Sequence, residues 1–96
     1  MMMLTKENRK SLPALYSTRK IEDPIAQVKF FTPWSSWTWY ITEFDGEDTM
    51  FGLVVNGDER ELGYVSFSEL ISVVGPYGLK VERDRWFSPT PLSKCR

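Results

Sequence analysis

Three carboxylates around one turn are the side chains of this sequence best suited to chemistry. Glu43 and Asp45 lie two positions apart on a predicted strand, so they should share a face, and Asp48 follows across the turn. Such a group can bind Mg²⁺ or Ca²⁺, or act as an acid/base pair in a small carboxylate-based or metal-dependent hydrolase. The alternative, which we favour, is a solvated hairpin end whose charges serve solubility. We therefore expect no bound metal and no cofactor, and keep the three residues as candidate binding residues.

An aromatic group precedes these carboxylates and comprises Trp34, Trp37, Trp39 and Tyr40. Such rings can form a stacking platform for single-stranded nucleic acid. The alternation of Trp37 and Trp39 is also typical of the inward face of a sheet, and we favour a core position for both. Trp34, in a loop, and Tyr40, on the other strand face, are candidate binding residues. The acidic residues nearby disfavour a phosphate backbone on this face.

Basic side chains occur near both ends of the chain. Arg83 and Arg85 alternate with carboxylates, and the arginine fork suits bidentate pairing with a partner or with neighbouring strands. Lys6, Arg9 and Lys10 stand at near-helical spacing, which is more typical of a solvated helix face than of a phosphate-binding site. We keep Arg83 and Arg85 as candidate binding residues.

Several classes of catalytic mechanism are excluded by composition. The chain has no histidine, which removes Ser-His and Cys-His pairs and every histidine-bearing zinc motif. Its single cysteine, Cys95, can form neither an internal disulfide nor a thiolate metal cluster. Glycine-rich phosphate-binding motifs are missing as well. We therefore expect a protein that is not an enzyme.

The elements that must position these residues form an α+β fold. Alternation and turn signals predict an antiparallel meander of about four to five strands, in which residues 37–45 are the strongest strand and Phe44 faces away from Trp37, Trp39 and Ile41. Gly52 indicates a bulge or a close neighbour, and the acidic stretch after Gly57 suggests a turn longer than two residues. The predicted strands cover residues 26–31, 37–45, 50–55 and 62–65, with an edge strand or extended segment over 79–87.

Two short helices complete the predicted fold. Thr5 caps a helix over residues 6–11, and Ser66 with Glu69 forms a capping box for a helix over about 67–74. The second helix should lay an apolar stripe on the sheet, made of Phe67, Leu70, Ile71 and Val74. The 96 residues fit one domain, with residues 17–25 as a surface linker and residues 88–96 as a loose tail.

The charge is segregated along a chain whose net charge is −1. Residues 1–20 carry five basic groups and one acidic group, residues 21–79 carry two basic and ten acidic groups, and residues 80–96 carry five basic and two acidic groups. Basic ends around an acidic middle favour internal pairing or two surfaces with different partners. No apolar run approaches the roughly 18 residues that span a bilayer, and no signal-peptide core is present. We expect a cytoplasmic protein with no membrane contact.

Several motifs together resemble a family of small bacterial proteins known as a domain of unknown function. They are K-F-F-T-P at 29–33, W-T-W-Y-x-x-E-F-D at 37–45, E-L-G-Y at 61–64 and V-E-R-D at 81–84. The resemblance extends from about residue 4 to residue 92. It implies an accessory role on plasmids, conjugative elements and phages, and it supplies no catalytic residues.

Three hypotheses about function follow from these observations. The leading one is a non-enzymatic accessory protein of a mobile element that binds a protein partner, with a host defence complex such as a CRISPR effector or restriction system suspected. A single-stranded nucleic-acid-binding module ranks second, and a small carboxylate hydrolase third. The sequence leaves the oligomeric state open, since an unpaired edge strand could mediate a dimer.

Overall fold

The computed structural model describes residues 3–95 and shows an α+β fold built on a five-stranded antiparallel sheet. The strand order in this sheet is β5-β4-β3-β2-β6, and β1 pairs with β7 in a second, two-stranded sheet. The strands are β1 (Ile25–Ala26), β2 (Val28–Phe31), β3 (Trp37–Phe44), β4 (Thr49–Asn56), β5 (Glu59–Ser66), β6 (Glu82–Arg83) and β7 (Thr90–Pro91). The helices are α1 (Lys6–Ser11) and α2 (Phe67–Ser72), with 3-10 turns at Pro76–Gly78 and Leu92–Lys94. The predicted fold class is therefore confirmed.

A bulge in β3 decides which side chains reach which face of the sheet. The pairing with β4 shifts between Ile41 and Glu43, so the alternation of the strand reverses there. Phe44 consequently packs in the same core as Ile41, and our expectation that it faces the other way is wrong. Opposite this irregularity, a Cβ added to Gly52 would lie 2.0 Å from the carbonyl oxygen of Tyr40, which confirms the predicted close neighbour.

One face of the sheet, here called the helix face, carries the larger core. Its sheet residues are Val28, Phe30, Ile41, Phe44 and Met50, all buried. Helix α1 buries none of its own residues, and Leu4 and Leu12 on either side of it enter this core. Helix α2 contributes Leu70, and Val81 completes the cluster.

The opposite face, here called the strap face, is covered by extended and irregular segments of the chain and by no α-helix among the described residues. Its core contains Tyr40, Leu53 and Val55, covered by the segment 16–24, here called the strap, and by residues 87–95, the tail. Leu92 and Cys95 of the tail are buried, and β7 pairs with β1. The expected loose tail over 88–96 is therefore wrong for residues 88–95, because apolar side chains at its end fill a gap on the strap face; Arg96 lies outside the described residues.

Three further boundaries differ from the sequence prediction. The turn between β4 and β5 has only two residues, because Asn56 pairs with Glu59, and β5 is correspondingly twice as long as expected. Helix α2 ends at Ser72, because Val73 is extended and Val74 forms a β-bridge with Lys80. Ile71 and Val74 are exposed as a result, so only Phe67 and Leu70 of the predicted stripe pack on the core.

Both predicted N-cap residues are confirmed, and of the predicted capping box of Ser66 and Glu69 the structure shows the bond to the Ser66 hydroxyl. The side chain of Thr5 accepts a hydrogen bond from the Asn8 N–H, and Ser66 accepts one from the Glu69 N–H. The edge strand predicted over residues 79–87 is confirmed in part. Strand β6 pairs with β2 at the edge of the sheet, but it has only two residues. No helix found within residues 3–95 is long and apolar enough to cross a membrane.

Candidate functional site

The three candidate carboxylates point to three different places. Asp45 Oδ1 accepts hydrogen bonds from the backbone N–H groups of residues 47–49, and these bonds, that of Glu47 foremost, lower the pKa of Asp45. Asp48 accepts hydrogen bonds from the Ser66 hydroxyl at 2.7 Å and from the Ser68 N–H, which lower its pKa and tie the turn to α2. The predicted same-face cluster is therefore wrong, because Glu43 is buried on the strap face, whereas Asp45 lies beyond the end of β3 and binds the turn backbone.

Glu43 is fully buried on the strap face, where it binds the strap. Its carboxylate accepts hydrogen bonds from the Tyr16 N–H at 2.8 Å, the Thr18 N–H at 3.0 Å and the Thr18 hydroxyl. Arg19 Nε lies 3.1 Å from Oε1 and completes an ion pair. Burial alone would raise the pKa of Glu43, but the hydrogen bonds from Thr18 and Tyr16 and the charge of Arg19 outweigh it and lower the pKa. Glu43 is thus an ionised structural anchor.

The guanidinium of Arg19 is held by aromatic rings as well as by Glu43. It lies 3.6 Å from the centroid of Phe51, 4.7 Å from that of Tyr16 and 5.3 Å from that of Tyr64. Every hydrogen bond to the Glu43 carboxylate described above comes from a residue of the strap. Across residues 3–95, no three side chains of the metal-ligating types lie together.

The aromatic candidates separate into one core residue and one surface group. Tyr40 is 2 % exposed and lies beside Phe87, 5.9 Å between ring centroids, so its predicted binding role is wrong. Trp34 is half-buried, with its ring pressed on the backbone of Gly75, where an added Cβ would lie 2.4 Å from the indole. The loop of Trp34 is therefore fixed against the segment that follows α2.

Trp37 and Trp39 stack on each other at the N-terminal end of β3. Their ring centroids are 6.0 Å apart at an interplanar angle of 16°, Trp37 is 42 % exposed, and Trp39 is half-buried against the helix-face core. The core position expected for Trp37 is therefore wrong. Trp37 pairs with Asn56 at one end of the sheet, whereas α2 starts at the other end, after Ser66. A six-residue helix spans only about 9 Å, which is too short to cover Trp37 at the opposite end of the sheet.

These rings belong to a continuous apolar area, here called the tryptophan surface. Trp39 lines a cleft of about 320 Å³ together with Val54 and Val73, and Trp37 lines a smaller one beside Val54. Glu59 and Glu61 border the Trp37 end, and Glu69 borders the Trp39 end. The tryptophan surface consists of Trp37, Trp39, Val54 and Val73.

The basic candidates lie in or just after the edge strand opposite β5. Arg83 is in β6 opposite Phe30, at the far edge of the sheet from β5, and Arg85 is exposed with its guanidinium 6.0 Å from the Trp86 ring. Lys29 and Asp84 pair at 3.7 Å, which supports internal pairing in this charged run. Neither Arg83 nor Arg85 lines the two clefts of the tryptophan surface, and Phe30 stands between Arg83 and Trp39 in the sheet.

A second concave area lies on the strap face. It has a volume of about 800 Å³ and an apolar floor of Phe51, Leu53 and Leu62, with Ile21 and Leu92 at its sides. Arg60 at its rim donates a hydrogen bond to the Cys95 carbonyl at 2.7 Å. We call this area the strap groove.

Sequence reasoning missed the residues that border these features. The sequence predicts Val73 and Glu69 only as parts of α2, and residues 17–25 of the strap region only as a surface linker. The early end of α2 has a local signal in the β-branched pair Val73 and Val74. The docking of the strap has no local signal, because it depends on a bulge in a distant strand.

The fold and these surfaces define a small α+β protein with an antiparallel sheet, two covered faces and a partly exposed tryptophan pair. The chain belongs to the family described as "Protein of unknown function (DUF2958)", whose model matches residues 3–95. The resemblance to a domain of unknown function is therefore confirmed. Comparison with curated proteins and with solved structures gave no match.

Proposed function

We propose that the protein is a non-enzymatic binding module that docks a partner protein on the tryptophan surface. The observation that carries this proposal is the exposure of Trp37, 42 % of whose surface meets solvent while its ring stacks on Trp39. Tryptophan is enriched among the residues that dominate binding energy at protein interfaces. Rigid, stacked rings lose little conformational entropy on binding, so such a surface is well prepared to receive a partner.

The charge at the border of this surface indicates the character of the partner. Glu59, Glu61 and Glu69 are exposed there, within the acidic middle of the sequence. Complementary potentials speed association and exclude wrong partners. The partner in this proposal therefore presents a basic surface with apolar groups at its centre.

The family resemblance suggests the setting in which this binding occurs. We propose an accessory role on a mobile genetic element, in the cytoplasm, as an inhibitor of a host defence complex. CRISPR effectors and restriction enzymes bind nucleic acid and so carry basic surfaces. An acidic, aromatic surface is complementary to them and would compete with nucleic acid for the same area.

A pair of tryptophan variants tests the binding site directly. Binding of purified CRISPR effector and restriction complexes is measured by biolayer interferometry with wild-type protein, Trp37→Ala and Trp86→Ala. Trp86 is 88 % exposed and lies outside the tryptophan surface, so it is a matched control. We expect Trp37→Ala to weaken binding about tenfold or more and Trp86→Ala to leave it unchanged.

Two results would contradict the proposal. One is that no defence complex binds and cells expressing the protein gain no protection for an incoming phage or plasmid. The other is that both tryptophan variants weaken binding equally, which would place the contact elsewhere.

The nucleic-acid hypothesis makes a separate prediction for the same rings. If bases stack on Trp37, single-stranded DNA or RNA quenches tryptophan fluorescence at low salt, Trp37→Ala removes the quenching, and salt reverses it. The acidic border opposes this, and we expect a flat titration. The hydrolase hypothesis needs Glu43, Asp45 and Asp48 in one site, and their separation removes its basis.

A further inference from the structure

The outer edge of β5 is a long strand edge open to another chain. Among residues 3–95, β5 has one neighbour in the sheet, β4, and pairs with it from Glu59 to Ser66 without a bulge. The opposite edge of the sheet is β6, only two residues long. Proteins usually protect long edges with proline, bulges or charged side chains; β5 has neither proline nor bulge, and its charges are confined to residues 59–61. An edge of this kind is suited to pairing.

The hairpin register shows which backbone groups face outward. A two-residue turn is closed by a hydrogen-bonded pair, here Asn56 and Glu59, and such pairs then alternate along the ladder. The N–H and C=O groups of Arg60, Leu62 and Tyr64 therefore point away from β4. Their side chains lie on the strap face, where Leu62 is 60 % and Tyr64 55 % exposed. One set of residues thus offers both free backbone groups and exposed apolar side chains.

We propose that β5 pairs with β5 of a second copy of this chain, antiparallel, about a two-fold axis at Leu62. In this register Leu62 lies opposite Leu62 of the copy, and Arg60 lies opposite Tyr64. Apolar surface meets apolar surface at the axis, and each arginine meets an aromatic ring. The two sheets join into one continuous sheet across the dimer.

The charges of β5 select this register and this partner. Glu59, Arg60 and Glu61 occupy one end of the strand, and no charged residue follows them up to Ser66. Antiparallel pairing at Leu62 sets the charged end of each strand against the neutral end of the other, with Glu61 opposite Gly63. A shift of one residue at the axis places Glu61 opposite Glu61 of the copy, and like charges in that position are unfavourable.

A shift in the other direction is also disfavoured. It would set Arg60 opposite Ser66, the residue that caps α2 and at which the chain leaves the sheet. The inferred dimer does not use the tryptophan rings, because Trp37 and Trp39 lie on the other face of the sheet, in β3, although Glu61 at the border of their surface belongs to β5.

Charge substitutions at the axis test the dimer. Sedimentation equilibrium of the full chain over a wide concentration range measures its mass, and circular dichroism checks the fold of each variant. We expect the wild type to form a reversible dimer and Leu62→Lys and Leu62→Glu, each alone, to raise its dissociation constant about tenfold or more. An equimolar mixture of the two variants should recover the dimer, because opposite charges then face each other.

Val74→Lys is the matched control, since Val74 is apolar, 62 % exposed and outside β5, in a β-bridge with Lys80; we expect it to dimerise as the wild type does. A wild type that stays monomeric at every concentration would overturn the proposal and leave the edge to an extended segment of a different protein. A wild-type dimer that both Leu62 variants retain would overturn it too. Recovery by mixing cannot arise from misfolding of the single variants.

Discussion

The two faces of the sheet are covered by different physical means. On the helix face, Phe30, Ile41 and Met50 are fully buried and pack with apolar residues from both helical segments. On the strap face, Tyr16 and Ile21 of the cover stay exposed, and its firmest contact is the ionised carboxylate of Glu43. One face is closed by apolar area and the other by a directed set of hydrogen bonds and one ion pair.

This difference determines how each face should respond to change. Apolar packing is non-directional, and a core tolerates small losses of volume at modest cost. A buried carboxylate depends on every partner, because a partner removed leaves an uncompensated group in a medium of low dielectric constant. Sensitivity to charge and to pH should therefore be concentrated on the strap face.

The largest expected effect is that of Glu43→Ala. It removes the acceptor of two backbone N–H groups, the Thr18 hydroxyl and the Arg19 guanidinium at once. We expect the free energy of unfolding, measured by urea titration, to fall by about 3–5 kcal/mol. Ile41→Val, two residues away and buried on the helix face, should cost only about 0.5–1.5 kcal/mol.

The comparison between the faces fails if the two variants cost the same. A further variant, Glu43→Gln, separates the effect of side-chain shape from that of charge. Glutamine keeps the volume of glutamate, but it is neutral and has one acceptor oxygen in place of two. We expect its cost to fall between those of the other two.

The second prediction concerns acid. Because folding lowers the pKa of Glu43, its stabilisation is fully present above the ordinary value of about 4.5 and is lost as the pH falls through the lower value in the folded state. Asp23, Asp45 and Asp48 also have lowered pKa values, so the wild-type curve alone does not isolate Glu43. The measurement is therefore the difference in unfolding free energy between wild type and Glu43→Gln across pH.

We expect this difference to be constant near neutral pH and to shrink as the pH falls below about 4.5. A difference that stays constant into strong acid would mean that folding leaves the pKa of Glu43 unchanged, so that the strap would bind the ionised and the protonated carboxyl group equally well.

The helix face was largely predictable from sequence, whereas the strap face was not. Local signals located both helices at their capping residues and β3 by its alternation, and the apolar positions of β2 and β4 followed from period two. The bulge after Ile41 has no signal in β3 itself, and it moved Phe44 to one face and Glu43 to the other. A single register shift therefore moved Glu43 from the predicted face of Ile41 to the strap face, and the end of β3 at Phe44 left Asp45 in the turn.

The tryptophan pair shows the same limit in another form. Alternation correctly placed Trp37 and Trp39 on one face of β3, but it cannot show whether anything covers that face. The cover depends on where α2 ends, and residues 73 and 74 are extended because Val74 bridges to Lys80. Exposure at this end of the strand is a tertiary property.

The smallest expected effect concerns Cys95, which reports on the tail rather than on the strap. The thiol is 2 % exposed, and burial raises its pKa, so little reactive thiolate is available in the folded protein. We expect alkylation by iodoacetamide to be at least about tenfold slower than in urea, a protection of about 1.4 kcal/mol. A loose tail would instead react at the unfolded rate.

Repeating the alkylation with Glu43→Gln shows whether the strap and the tail, the two covers of the strap face, open together. Unchanged protection of Cys95 means that the tail stays packed on Leu53 and Val55 when the strap is released. In that case apolar contacts hold the tail independently of the Glu43 carboxylate.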